Sequence, residues 1–333
     1  MIRVAIDALG GDRAPDEIVA GAAAAASSEI EPVLFGPADL DTLGLELVVA
    51  ADSIEMDEHP VEAVRSKPDS SLVRAIGAVA EGEADVAFSA GSTGATLAAA
   101  LFGLRRLPGV LRPAIAVVIP ARAGPTVLID AGANADARPE HLLQFGHMGA
   151  LFAEEILGVV DPEVRLLSIG EEDEKGNQLT LDAHELLRAS ELRFGGNTES
   201  RRLLEGDTDV IVTDGFTGNI ALKALEGTIW SLLDGIQAEL RSSTRGKLGG
   251  LLIRPAAHRL RRRLDPESYG GAYLLGLRGL VVIAHGSSSR VAIANAIRLA
   301  ARGVEHRVVE RLEDRLPDRV VASARSTTPT AEK

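Results

Sequence analysis

Short, continuously apolar runs alternate with helical stretches along almost the whole chain. RVAID (3–7), PVLFG (32–36), LELVVA (45–50), DVAFSA (85–90), AIAVVIP (114–120), TVLIDAG (126–132), VRLLSIG (164–170), DVIVTD (209–214) and GLVVIAHG (279–286) read as strands. Helical spacing marks DEIVAGAAAAASS from Asp16, SSLVRAIGAVAEG (70–82), GATLAAALFGLRRL (94–107), PEHLLQFGHMGALFAEEILG (139–158) and a last helix from about Ser288 to Ala301. A strand that is apolar on both sides has no solvent face and must be covered twice. The pattern predicts an α/β fold, a largely parallel sheet with helices on both faces in three layers. We expect one domain over 1–316 and a polar, disordered tail over 317–333.

Composition enters by exclusion. The chain has no cysteine, which removes a disulfide framework, a thiolate metal site and a cysteine nucleophile. No metal is expected, since the seven histidines are scattered and no H-E-x-x-H occurs. A net charge of −13 argues against nucleic acid as the main partner. No apolar run approaches the roughly 18 residues of a membrane span, and the first residues lead straight into a strand. The expectation is a soluble, cytoplasmic protein.

In folds of this kind ligands gather at the carboxyl ends of strands. Six such ends carry small or polar residues. The first holds Asp7, Gly10, Gly11 and Asp12, and the fourth runs into SAGSTGA with Gly91, Ser92, Thr93 and Gly94. Others lead into AGANADARP with Asn134, EEDEKGNQ with Lys175, GFTGN with Gly218 and Asn219, and HGSSS with His285, Gly286 and Ser287. SAGSTGA suits an anion held on free amides at a helix start, or simply a capped turn. It is neither a Walker loop nor a dinucleotide fingerprint, and GGDRAP is neither as well. EEDEKGNQ reads first as a solvated charged loop, with Lys175 an anion or oxyanion partner. Asn219 is a helix cap or a donor for a reacting carbonyl. His285 is structural or binds phosphate.

A basic segment, RSSTRGKLGGLLIRPAAHRLRRRLD (241–265), interrupts this acidic chain. Pro255 should divide it into the two arms of a hairpin spanning about 241–266, with Leu251, Leu252 and Ile253 near the bend. Arg254, Arg259, Arg261, Arg262 and Arg263 surround an apolar stripe. That pattern suits an anionic membrane surface, and equally a second subunit or an acidic protein.

The blocks AIDALGGDRAPDEIVAGA, KPDSSLVRAI, SAGSTGA, DAGANADARPEHLLQFGHMG, IGEEDEKGNQLT, DGFTGNIALKALEG, YGGAYLLGL and HGSSS occur in this order over roughly residues 1–300. In that order the chain resembles the PlsX family of phosphate acyltransferases. The resemblance implies transfer of a long-chain acyl group from acyl carrier protein to inorganic phosphate, giving the acyl phosphate used in phospholipid synthesis. It also implies a fold like isocitrate and isopropylmalate dehydrogenases, no metal or nucleotide cofactor, and a homodimer peripheral to the membrane beside a downstream membrane acyltransferase. The chain departs at Ser92, where the family usually has Asn, and at Ala137–Arg138, where it often has Cys-Lys.

Together these readings predict phosphate on the 89–95 and 285–287 loops, attacking the thioester directly. Asn219 and Lys175 would stabilise the oxyanion or the departing thiolate, while Asp7 and Asp12 orient loops. The alternatives are a phosphotransacetylase using acyl-CoA and a non-catalytic membrane scaffold.

Overall fold

The computed structural model describes residues 1–264 and 270–316, without the side chains of 261–264. The tail over 317–333 therefore lies outside the described residues, as do the side chains of Arg261, Arg262 and Arg263. In chain order the elements are β1 (Ile2–Asp7), α1 (Asp16–Ala25), β2 (Ile30–Gly36), β3 (Glu46–Val49), α2 (Pro60–Ser66), α3 (Ser71–Ala80), β4 (Val86–Ser89) and α4 (Thr93–Gly103). There follow β5 (Ala114–Pro120), β6 (Pro125–Ile129), α5 (Pro139–Phe152), β7 (Val164–Ser168), α6 (Gln178–Arg188), β8 (Phe194–Glu199) and β9 (Val210–Val212). The last are α7 (Gly215–Ser242), α8 (Thr244–Leu264), β10 (Ala272–Leu275), β11 (Leu280–Ile283) and α9 (Arg290–Glu305).

All the strands join one sheet in the order β3-β2-β1-β4-β11-β10-β5-β6-β9-β7-β8. Seven of its ten pairings are parallel, as the apolar runs imply. The exceptions are β10, antiparallel to both neighbours, and the β5–β6 hairpin. Alternate side chains of β5 pack on opposite faces: Ala114, Ala116 and Val118 join one cluster with α1, α5 and α9, whereas Ile115 and Ile119 join the other with α2, α4 and α7.

These antiparallel steps correct one expectation. β1, β4 and β11 end at one edge of the sheet, and β6, β7 and β9 end at the other, so the six polar strand ends split three and three. Apolar periodicity is blind to strand direction, which is why the sequence suggested one common edge. Two features reunite the halves. Twist of roughly 20–25° per pairing accumulates over the sheet, turning opposed ends toward each other. Helix α7, with 28 residues and about 42 Å of length, also carries side chains from the second edge back across the sheet.

The basic segment does form a helical hairpin, but it bends elsewhere. The break falls at Ser243, which is extended (φ −138°, ψ 160°), and α8 runs through Pro255 without interruption. Proline removes one backbone donor, yet every described side chain from Leu251 to Leu260 is exposed, so water can satisfy the freed carbonyl. Leu251, Leu252 and Ile253 are thus mid-helix, not at a tip.

Candidate active site

The first-edge loops interlock through Asp7. Its buried carboxylate accepts hydrogen bonds from Ser71 Oγ (2.5 Å) and Ser89 Oγ (2.7 Å), and Gly91 N–H donates to Ser89 Oγ (3.0 Å). Burial pushes the Asp7 carboxyl up, and the two serines work against that shift. A Cβ at Gly10 would lie 2.3 Å from Asp7 Oδ2, and Gly11, with φ +116°, lies against the carbonyls of Ala90 and Gly286. Asp12 N–H donates to Gly286 O (2.9 Å). Asp7, Gly10, Gly11 and Asp12 therefore stand behind the pocket wall and hold two other loops in place.

That wall opens onto a cleft of about 810 Å³ between α4 and α7, floored by β5 and β10. Its first-edge end presents Arg13, Gly91, Thr93, Lys223, His285, Gly286, Ser287 and Ser288. Ser92 is the N-cap of α4, accepting from Ala95 N–H (3.4 Å), which leaves the amides of Thr93 and Gly94 without helical partners. Serine and asparagine cap helices about equally well, so the departure at Ser92 keeps this function. The corresponding start of α9 is closed: Arg290 N–H donates to Glu17 Oε2 (2.6 Å). His285 Nε2 lies 3.5 Å from Glu226 Oε1 on α7, and that partner raises the imidazole pKa above its usual value.

Much of the remaining lining is apolar, with Ile115, Val117 and Ile119 from β5 and Leu222, Leu225, Ile229 and Trp230 from α7, and along α7 Lys223 lies only one turn from Asn219. The second-edge end of the cleft holds Gly132 and Asn219. Asn219 sits against Gly132, and among the described residues its side-chain amide has no hydrogen-bond partner. Beneath it, Asp130 is fully buried. Oδ1 accepts from the amides of Ile115 (3.0 Å), Gly132 (3.1 Å) and Ala133 (2.9 Å), and Oδ2 accepts from Asn134 N (2.8 Å) and Nδ2 (2.8 Å). Burial pushes the Asp130 carboxyl up, while this all-donor shell suits the anion. Asn134 Nδ2 also donates to Pro113 O (2.8 Å), so it builds the turn and does not face the cleft. Gly218 is a packing requirement, since a Cβ there would lie 2.0 Å from Asp130 O.

Lys175 does not line the cleft. It emerges from β7, next to the β9 strand that leads to Asn219, so both belong to one edge. Its loop is ordered by two side chains: buried Asn197 donates from Nδ2 to Glu172 O (2.8 Å) and Lys175 O (3.3 Å), and Ser168 Oγ donates to Lys175 O (2.8 Å). Glu171 pairs with Arg202 and Asp173 with Arg188. The Lys175 ammonium has no carboxylate partner among the described residues.

Arg13, Asp130, Lys223, Glu226 and the β5 floor were not singled out from the sequence. Lys223, Glu226 and Trp230 follow Asn219 at i+4, i+7 and i+11, a helical stripe legible once Asn219 is placed on a helix. Arg13 carried no local signal.

A single α/β sheet that reverses direction at its centre, crossed on one face by a cleft, defines the class of fold. Solved structures agree on that fold: the chain is similar to a branched-chain phosphotransacylase from Enterococcus faecalis (TM-score 0.61, 18% identity, 92% of this chain and 100% of that one). It is also similar to the EutD phosphotransacetylase from Staphylococcus aureus (TM-score 0.57, 18% identity, 91% and 94%).

Sequence relatives narrow the class. The model of the "Fatty acid synthesis protein" family matches residues 2–311, and the chain belongs to that family. It is 45% identical to a phosphate acyltransferase from Heliobacterium modesticaldum (96% of this chain, 99% of the relative). It is 49% identical to one from Pelotomaculum thermopropionicum (93% of each) and 48% to one from Thermus thermophilus (95% and 98%). The chain is an acyltransferase.

Proposed function

We propose that this enzyme moves a long-chain acyl group from acyl carrier protein to inorganic phosphate, releasing the carrier thiol and the acyl phosphate used for phospholipid synthesis. One observation carries the reading: a single cleft joins a donor-rich end to an apolar floor. Phosphate binds on the Thr93 and Gly94 amides with Arg13, Lys223 and protonated His285 around it. The acyl chain lies between β5 and α7. A phosphate oxygen attacks the thioester carbonyl carbon, the C–O bond forms, and the C–S electron pair leaves with sulfur. Asn219 Nδ2 donates to the oxyanion, and Lys175 supports the departing thiolate from the neighbouring strand end. The α7–α8 hairpin contacts a second copy and the membrane surface, where a membrane acyltransferase can take up the product.

Thiol release from long-chain acyl carrier protein is measured with and without phosphate, with hydroxylamine trapping the acyl phosphate. Phosphate-dependent release is expected, and Asn219→Ala should lower kcat by about 100-fold or more. Turnover of acyl-CoA alone would replace the donor, and turnover of neither thioester would overturn the reading.

A further inference from the structure

At the second edge, where the cleft ends at Gly132 and Asn219, a separate surface cavity of about 360 Å³ is lined by Leu101, Arg105, Arg106, Leu107, Val110 and Arg278. Its three guanidinium groups have no carboxylate within ion-pair distance among the described residues. Elsewhere in this acidic chain many arginines do, among them Arg3, Arg165, Arg188, Arg202 and Arg290. Nor is the patch a loose loop. Gln144, buried on α5, accepts from Leu111 N–H (2.8 Å) and donates to Gly109 O (2.9 Å). Arg106 donates to the carbonyls of Val110 and Leu111, and Arg278 N–H donates to Arg105 O (3.1 Å). Residues 105–113 lead directly into β5, whose Ile115 forms part of the cleft floor.

We infer that this arginine cavity is the docking site for an acidic protein face, and that the acyl donor is held there while its thioester enters the cleft from the second edge. The inference rests on the carrier-bound donor proposed above. Guanidinium groups with no carboxylate partner among the described residues, beside half-buried Leu101 and exposed Leu111, suit a carboxylate-rich helix with an apolar residue among its acids. A free anion would need the charge alone. Arg105 and Arg278 are the informative positions, since Arg106 also holds its own loop together.

The test compares acyl carrier protein with the same acyl group on free pantetheine, in wild type, Arg105→Glu/Arg278→Glu and Arg105→Gln/Arg278→Gln. The expected result is a KM for acyl carrier protein raised about tenfold or more by the Glu pair and less by the Gln pair, with kcat retained. KM for acyl-pantetheine should stay within about twofold, and added salt should weaken wild type toward the variants. Equal KM values for the carrier substrate in wild type and both variants would overturn the docking site while leaving the donor intact. Parallel loss on both substrates would make the arginines structural and overturn it too. A wild type that uses acyl-pantetheine but not acyl carrier protein would remove the donor reading and the docking site together.

Discussion

At the scale of single residues, the site separates groups that build from groups that face the ligand. Asp7 and Asp130 are buried carboxylates surrounded by donors, and each organises a strand end. Gly218 lets the first turn of α7 lie on the Asp130 carbonyl, which places Asn219 over the cleft. His285 is an exposed titrating group where the cleft is proposed to take phosphate. Glu226 raises its pKa, whereas burial and Lys223 lower it. A raised histidine pKa means the charged pair is complete below the ordinary value near 6.5 and is lost as pH rises through the folded value. Glu226→Gln removes the raising partner and leaves both lowering ones. The His285 imidazole should then titrate at lower pH by NMR, and KM for phosphate at pH 7 should rise severalfold, since a neutral ring offers phosphate no charge. An unchanged titration would show that Glu226 does not control this proton.

At the scale of elements, α4 leaves two amides open above a serine cap, the feature on which the proposed phosphate site rests. Ser92→Ala should cost about 1 kcal/mol in urea unfolding and raise KM for phosphate, whereas Ser92→Asn should change stability by only a few tenths of a kcal/mol. Equal losses from both substitutions would mean that Ser92 contributes something other than its cap. Much at this scale was legible in the sequence. AIAVVIP was bounded correctly at 114–120, and the helix from Asp16 begins where its spacing begins. The strand β10 escaped because AYLL is four residues between glycines, too short for any period to register. β8, FGGNTE, escaped because its glycines and polar side chains hide the pattern. Strand direction was not legible either, since side-chain alternation is the same in both senses. Hence the polar strand ends were found, but their division between two edges was not. Lys175 is legible as a candidate and its loop is solvated as the sequence suggests, with Glu171 to Lys175 all exposed, but the hold of Asn197 on the loop is not legible because it comes from 22 residues away.

At the scale of the whole molecule, charge is polarised. The chain carries −13 overall, yet the hairpin displays Arg241, Arg245, Lys247, Arg254 and Arg259 on exposed helix. It also exposes Leu248 (63%), Leu251 (64%) and Leu252 (76%), with Leu232 (62%) and Ile236 (57%) on α7. No helix among the described residues is long and apolar enough to cross a membrane. A basic helix with exposed leucines suits binding in the interface plane, where each buried leucine contributes about 1.5–3 kcal/mol. Two leucines then amount to about 3 kcal/mol or more, roughly a 100-fold change in partitioning. Leu251→Asp/Leu252→Asp should therefore abolish flotation with vesicles rich in anionic lipid, while the sedimentation coefficient stays that of wild type and acyl-pantetheine turnover is retained. Wild-type flotation should weaken with salt, because each arginine near an anionic surface contributes about 1 kcal/mol that screening removes. If instead the double variant floats as before and sediments as a monomer, these leucines face the second copy, and the membrane contact belongs to the basic residues farther along α8.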